Sequence, residues 1–304
     1  MGRGGSAREI TLALLKLKTR LEGERYTFSA NLSQGLRIFP GLPDAAASAT
    51  RLETAASYRL TTGLSAGVLL SGSDLTERRH EIDQDTLHGE GSLSGTLGAF
   101  TASLSGGWTA FAPRDPPLRA FSASGPEAWA RASFTPSAEH ELAIGFGVWL
   151  ASYTRWSELT TGGRDDRTHT ASVEYTYRGP LLAGAGYAFS WNQSSAAGGD
   201  FSRHRLTVRG AARLPLGFTL ALRGTLQWSR YPEPLFIREQ LLLALGQESQ
   251  DAVEVRLTHP LGASLDLALS GAYYRNEAAG GDALRYSRAQ FLLVLGWHHD
   301  WSWQ

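Results

Sequence analysis

The sequence predicts an all-β fold, a transmembrane antiparallel up-and-down β-barrel of about 14 strands. Three observations support this prediction: long segments in which apolar and polar residues alternate, short turns that alternate with longer polar segments, and aromatic residues at two levels of the apolar phase. Successive side chains of a strand point to opposite faces, so alternation predicts one apolar and one polar face. Most segments run for about ten residues, whereas strands of soluble proteins average about 5–6.

Composition and charge exclude several other classes. The 304 residues include 34 Gly, 9 Trp and 10 Tyr but no Cys, and 29 Lys+Arg balance 29 Asp+Glu. A neutral chain lacks the strong basic field of a nucleic-acid binder, and a chain without Cys has neither disulfides nor a thiolate metal site. No stretch is long and apolar enough for a membrane helix. Only a closed barrel then satisfies the backbone in lipid.

The clearest strand pair is the hairpin Phe201–Tyr231. Its second arm has an apolar face that begins at Phe218 and ends at Trp228, and about ten tilted residues span roughly 25 Å, the height of the lipid-facing band of a barrel. An arginine facing lipid near mid-membrane costs about 2–4 kcal/mol. The arginine-rich face of the first arm is therefore predicted to face water inside the barrel. That face carries Arg203, Arg205, Arg209 and Arg213.

The other strands follow from the same alternation between short turns. The turns are predicted at Leu21–Glu24, Thr61–Gly63, Leu97–Ala99, Thr135–Glu139, Gly179–Pro180, Pro215–Gly217 and Pro260–Gly262. A longer polar segment lies between each pair of turns. Short turns at one end and longer loops at the other are typical of membrane barrels.

Residues 1–23 are predicted to be an N-terminal extension or an extra strand, and residues 24–304 the barrel. As a strand, Ile10–Leu21 places Lys16, Lys18 and Arg20 inward and makes the count odd, so an upstream strand would complete a barrel of up to about 16 strands. As a periplasmic extension or plug, it leaves the count at about 14. No cleavage site of a secretory signal is evident. We therefore expect a missing leader or a start inside a longer protein.

Aromatic residues of the apolar phase fall at two levels, as expected for girdles at the two membrane interfaces. The predicted girdles are Tyr58, Phe100, Phe134, Tyr177, Phe218 and Trp297 near the short turns, and Trp108, Trp191, Trp228 and Tyr273 near the longer loops. This sorting predicts the lipid bilayer as a partner.

The polar phase is predicted to line a lumen. Its candidate selectivity residues are Glu174, Arg178, Arg203, Arg205, Arg209, Arg213, Arg223, Glu254, Arg256, Asp266 and Arg288. Charged rings set selectivity in pores, so the arginines predict a basic lane for anionic solutes. The alternative is that they pair with carboxylates and hydroxyls and brace the wall.

From Tyr26 to the C-terminus the chain resembles bacterial outer-membrane β-barrels of the porin-like kind. The run Phe291–Trp303 is similar to their aromatic-ended last strand, although Gln304 follows Trp303 here. The resemblance implies a location in the bacterial outer membrane and assembly by the barrel-insertion machinery. The segment Tyr286–Arg288, which leads into Phe291, is also similar to barrels of polysaccharide-secretion proteins.

The expected function is an outer-membrane channel for passive passage of small solutes, with anionic solutes as one class. One alternative is the membrane barrel of an exopolysaccharide or other export machine, with an upstream periplasmic domain. Another is a structural or adhesion barrel. A lumen is favoured because about 14 to 16 strands leave room for water.

Three further features leave alternatives open. The glycines Gly89, Gly91 and Gly95 on the outer phase mark either a homo-oligomer contact or a bend or bulge. The loop Pro232–Gln250 either folds inward as a constriction or packs outside. His88 and Glu90 share the inner phase, but catalysis needs further groups at the same height. No catalytic residue, cofactor or metal ion is predicted, so the chain is predicted not to be an enzyme.

Overall fold

A computed structural model of the protein describes residues 11–38, 47–77, 83–114, 116–158, 162–196, 199–230, 250–262, 264–276 and 286–297. These residues form one fifteen-stranded sheet in which each strand pairs antiparallel with the next along the chain. The strands are β1 (Thr11–Glu22), β2 (Tyr26–Ile38), β3 (Ala47–Arg59), β4 (Leu64–Glu77), β5 (Gln84–Leu97), β6 (Phe100–Pro113), β7 (Ala123–Ser137), β8 (His140–Tyr153), β9 (Arg164–Arg178), β10 (Leu181–Ser194), β11 (Phe201–Arg213), β12 (Thr219–Arg230), β13 (Gln250–Pro260), β14 (Leu265–Asn276) and β15 (Tyr286–Trp297). The predicted all-β up-and-down class is confirmed.

Each predicted short turn joins two neighbouring strands. At the turn between β11 and β12, the amide of Leu214 donates to the carbonyl of Phe218 over 2.7 Å and encloses the short 3₁₀ helix Pro215–Gly217. Gly217 has a φ of 78°, which suits a residue without a Cβ. Leu216 adopts a φ of 63°, which is uncommon for a residue with a side chain. The turn residues therefore set the register of this hairpin.

The exposed large apolar side chains lie almost entirely on one face of the sheet. Within the described strands, only Trp129 and Leu182 of this exposed group lie on the opposite face. On β6 the alternation is clear, since Leu104 is 63% exposed and its neighbour Ser105 belongs to the polar face. A soluble sheet would bury such an apolar face, whereas a barrel presents it to lipid.

Two aromatic belts border this apolar face. Near the short turns, the rings of Phe100 and Phe134 are stacked with centroids 4.7 Å apart. Near the longer loops, Trp191 stacks on His169 at 4.8 Å and Trp228 on His204 at 5.1 Å. These are the interfacial heights that amphipathic rings favour. The side chain of Trp297 is outside the described set, although its backbone ends β15.

The N-terminal segment is a strand of the same sheet. β1 pairs with β2 along its whole length, from Thr11 opposite Ile38 to Glu22 opposite Thr27. The fifteen described strands fall between the two predicted counts. Within the described residues, no hydrogen-bonded ladder joins β1 to β15, which are the two edge strands of the sheet. The chain runs toward the short-turn end in both of them. A direct contact between these two edges would therefore be parallel.

Several predicted features are either absent from the structure or lie outside the described residues. β5 pairs with β4 and β6 without a register shift, so the predicted bulge at Gly89, Gly91 and Gly95 is absent there. Most of the loop Pro232–Gln250 and the residues after Trp297 lie outside the described residues. Among the residues that are described, no helix is both long and apolar enough to cross a membrane.

An arginine placed on the apolar face will destabilise the protein far more than one placed on the polar face. Leu104 lies midway between Phe100 and Trp108, so Leu104→Arg should lower the unfolding free energy in liposomes by about 2–4 kcal/mol. The adjacent Ser105→Arg should cost less than about 1 kcal/mol. Denaturant titration of both variants measures the difference, and equal losses would contradict the assignment of faces.

Candidate functional site: the polar inner wall

The polar residues predicted from the sequence lie on one continuous face. Arg209 on β11 lies opposite Arg223 on β12, which in turn lies opposite Glu254 on β13. On β14 and β15, the register places Asp266 on this same face, and Arg288 opposite Tyr274. The side chain of Arg288 is outside the described set. Because this face carries the arginines and the opposite face carries the exposed apolar residues, we call it the inner wall.

One group of arginines on the inner wall is paired with carboxylates. Glu174 accepts a hydrogen bond from Nη2 of Arg209 over 2.5 Å and lies 3.4 Å from Nη2 of Arg131. Glu141 pairs with Arg178 and lies 3.7 Å from Arg131. These five residues, which we call the charge network, connect β7, β8, β9 and β11. Here the arginines brace the wall, as one of the two sequence-based alternatives proposed.

A second group of arginines faces water without such partners. Arg205, Arg213, Arg223 and Arg256 are exposed, and no carboxylate of the described residues lies within 4.0 Å of their guanidinium groups. Arg223 lies opposite Glu254, yet Glu254 accepts a hydrogen bond from the Tyr274 hydroxyl over 3.1 Å instead. We call these four arginines the unpaired arginines. Their charge is available to a solute.

Arg203 belongs to neither group. Its Nε donates to the hydroxyl of Ser229 over 3.1 Å, and its guanidinium carbon lies 4.7 Å from the ring centroid of Phe201. A guanidinium held over an aromatic face is stabilised by the ring quadrupole. Arg203 is therefore bound to the wall near the loop end of β11.

Two depressions of the inner wall meet at Arg223. One, of about 320 Å³, is lined by Arg223 with Glu254, Arg256 and Tyr274. The other, of about 330 Å³, lies between Glu174, Arg209 and Arg223 over the small residues Gly184 and Gly186. The lack of a side chain on Gly184 makes room for the Arg209 side chain, because a Cβ there would lie 2.7 Å from Arg209 Nε. A small solute can therefore approach these guanidinium groups.

Further inner-wall residues were not among the sequence candidates. His88 Nδ1 lies 2.6 Å from Oε1 of Glu127, its Nε2 lies 3.5 Å from Glu90, and Thr109 donates to Glu127 over 2.9 Å. Glu127, Trp129 and Arg131 alternate with small residues on β7, so the same period-two signal could have identified them. The His88 and Glu90 pair noted in the sequence is thus part of a larger polar cluster.

A packed cluster stands at the loop end of β8 and β9. The guanidinium of Arg164 lies 4.2 Å from the Tyr153 ring centroid and 4.7 Å from that of Trp156, and it binds Asp166 through two hydrogen bonds. The hydroxyl of Ser194 also donates to Asp166, over 2.6 Å. We call these residues the rim cluster.

Together, the alternating strands, the exposed apolar face and the two aromatic belts are those of a transmembrane β-barrel.

Comparisons with known proteins found similarity among solved structures. An anion-selective porin from Comamonas acidovorans has 10% identity and a TM-score of 0.46, with coverage of 93% of this chain and 95% of that chain. OmpT, an outer membrane protein of Vibrio cholerae, has 11% identity and a TM-score of 0.43, with 94% and 96% coverage. The FrpB iron transporter from Neisseria meningitidis has 11% identity and a TM-score of 0.48, with 88% and 51% coverage. No family model and no curated protein matches the chain.

The ion pair of the rim cluster should contribute measurably to stability. Asp166 and Arg164 have side chains that are only 4% and 10% exposed, so Asp166→Asn leaves a nearly buried guanidinium without its anion. We expect a loss of about 3 kcal/mol in the free energy of unfolding. The matched control is Glu53→Gln, which breaks the Arg51–Glu53 pair of the same spacing on β3. Because that pair is exposed, its loss should be below about 1 kcal/mol. Similar losses for both variants in urea titrations would contradict this prediction.

Proposed function

We propose that the protein is an outer-membrane channel for passive passage of small solutes, and that its inner wall favours anions. The observation that carries this proposal is the division of the inner-wall arginines into two groups. Those of the charge network pair with Glu141 and Glu174, whereas the unpaired arginines have no carboxylate within 4.0 Å among the described residues. If the arginines served only to stabilise the wall, each of them should be paired with a carboxylate.

The unpaired arginines are positioned to act on passing ions. Arg205 is on β11, Arg213 is at the end of the same strand, and Arg223 and Arg256 are on β12 and β13. They follow one side of the wall from the level of Trp228, near the longer loops, to its short-turn end. A unit charge about 6 Å from an ion in water contributes about 0.7 kcal/mol before salt screening. Four such charges lower the barrier for anions and raise it for cations.

A lumen also requires that the sheet closes, because unpaired edge groups in lipid cost several kcal/mol each. We propose that β1 and β15 meet. Their outward residues Leu17 and Leu293 are both highly exposed, as expected for residues beside lipid. Assembly by the barrel-insertion machinery and a homo-oligomeric state remain predictions.

Neutralising the unpaired arginines should reduce anion preference. The double variant Arg223→Gln and Arg256→Gln should lower the anion-to-cation permeability ratio by roughly tenfold per charge at low salt, because each charge changes the anion and cation barriers by about 0.7 kcal/mol in opposite directions. The reversal potential in planar bilayers measures this ratio. Glu174→Gln should act in the opposite direction, since it removes a negative charge from the wall and leaves Arg209 without its carboxylate. The control Arg230→Gln removes one positive charge on the outward phase of β12 and should leave the ratio unchanged.

Cation preference in the unaltered protein would overturn the anion assignment. An electrically silent protein that is nevertheless folded in the bilayer would overturn the channel itself and favour a structural or adhesion barrel.

Closure can be tested with engineered disulfides, because the chain has no cysteine. Leu17→Cys on β1 is combined in turn with Phe291→Cys, Leu293→Cys or Leu295→Cys on β15. If the two strands are neighbours, one of these pairs should oxidise to an intramolecular crosslink that changes mobility on unreduced gels. Leu17→Cys combined with Leu150→Cys on β8 is the control that should stay reduced. The absence of a crosslink in all three test pairs would exclude direct pairing of these edges.

A further inference from the structure

The side chain of Trp129 is an exception to the division of the two faces. It lies on the inner wall and is 39% exposed, whereas the other exposed aromatic side chains of the described strands lie on the outer face. An indole that faces water forgoes the free energy of burial. A large aromatic residue on a polar surface is therefore informative about binding.

The ring of Trp129 lies flat against the wall. A Cβ built on Gly147 of the neighbouring strand would lie only 2.5 Å from Cδ2 and 2.6 Å from Cζ3 of the indole. The ring thus occupies the place that a side chain at position 147 would take. Gly145, the next inward residue of β8, is also without a side chain. One face of the indole rests on the wall, whereas the place of a side chain at position 145 is taken by the Ser172 hydroxyl, since a Cβ on Gly145 would lie 2.7 Å from its Oγ.

The surroundings of this ring are polar, and their charged groups already have partners. On its own strand, Glu127 is paired with His88 over 2.6 Å, and Arg131 is paired with Glu174 over 3.4 Å. The cross-strand partner on β6 is Ser105, and Thr170 lies beyond Gly147 on β9. The site therefore offers a flat apolar plate flanked by hydroxyl groups and by charged groups that are already engaged.

These properties select a class of ligand. A small anion gains more from the unpaired arginines than from an indole face, and a cation finds the nearby carboxylates already paired. A pure hydrocarbon would leave the surrounding hydroxyls without partners, at a cost in desolvation. A pyranose ring has an apolar face of C–H groups and a rim of hydroxyls, and so it matches both parts of the site.

We propose that Trp129 on its Gly147 floor is a binding platform for the ring face of a neutral saccharide inside the lumen. Trp149, two residues further along β8 on the same face, continues this surface toward the loop end. A saccharide chain that enters from the loops can follow this wall, while anions follow the unpaired arginines. The proposal rests on the open lumen of the proposed function.

The test is block of single-channel current by maltohexaose, a neutral six-ring saccharide, with a polyethylene glycol of similar size as the comparison. Maltohexaose should block the current in a saturable manner, and the polymer should not. Trp129→Ala should raise the half-blocking concentration by about two- to tenfold, while Trp129→Phe, which keeps a flat ring, should raise it less. Trp108→Ala, which removes an indole from the outer face, should leave block unchanged.

The outcomes separate this inference from the channel proposal. Conductance without saccharide block, or equal block in the wild type and Trp129→Ala, would overturn the platform and leave the channel intact. If no conductance is found, the channel proposal fails. In that case, saturation-transfer NMR of maltohexaose with the folded protein in micelles tests whether the saccharide binds to Trp129. The saturation-transfer signal of the saccharide must then be lost in Trp129→Ala. A signal of equal strength in that variant would overturn it.

Discussion

The whole structure depends on one constraint: in lipid, every backbone amide and carbonyl must find its partner within the protein. An antiparallel sheet meets this demand strand by strand, and it also makes side chains alternate between two faces. In this chain, β6 shows both consequences, because Leu104 faces outward and Ser105 inward while the strand stays paired on both sides. The division of the sheet into an apolar outer face and a polar inner wall follows directly from that pairing.

On the polar wall, the same pairing decides which charges cancel. The shear of the sheet brings Glu174 on β9 within reach of Arg209 on β11, across the small residue Gly184. Arg205 is only four residues from Arg209 on the same face, yet it has no carboxylate within 4.0 Å among the described residues. A wall of nearly balanced composition thus acquires one sector in which the arginines are paired with carboxylates and another in which they are not. This uneven distribution of charge, rather than the net charge, determines the electrostatic potential along the wall.

Histidine shows how tertiary position changes the meaning of a residue. His169 and His204 stack on Trp191 and Trp228 in the outer belt. By contrast, His88 belongs to a polar cluster of the inner wall with Glu127. The phase of each strand separates these roles, because adjacent residues on a strand face different solvents.

The sequence by itself determined the fold class, the short turns and the face of each strand residue, because a period of two is a local property that can be read without knowing any neighbour. It therefore placed Arg205, Arg223 and Leu104 on their faces. Only the tertiary structure decided that Arg209 is paired and Arg223 is not, since that depends on the register between strands far apart in the chain. The contact of the Trp129 ring with Gly147 and the pairing of β1 with β2 also depend on the tertiary structure. Contacts across a sheet are nonlocal, and alternation along one strand carries no information about them.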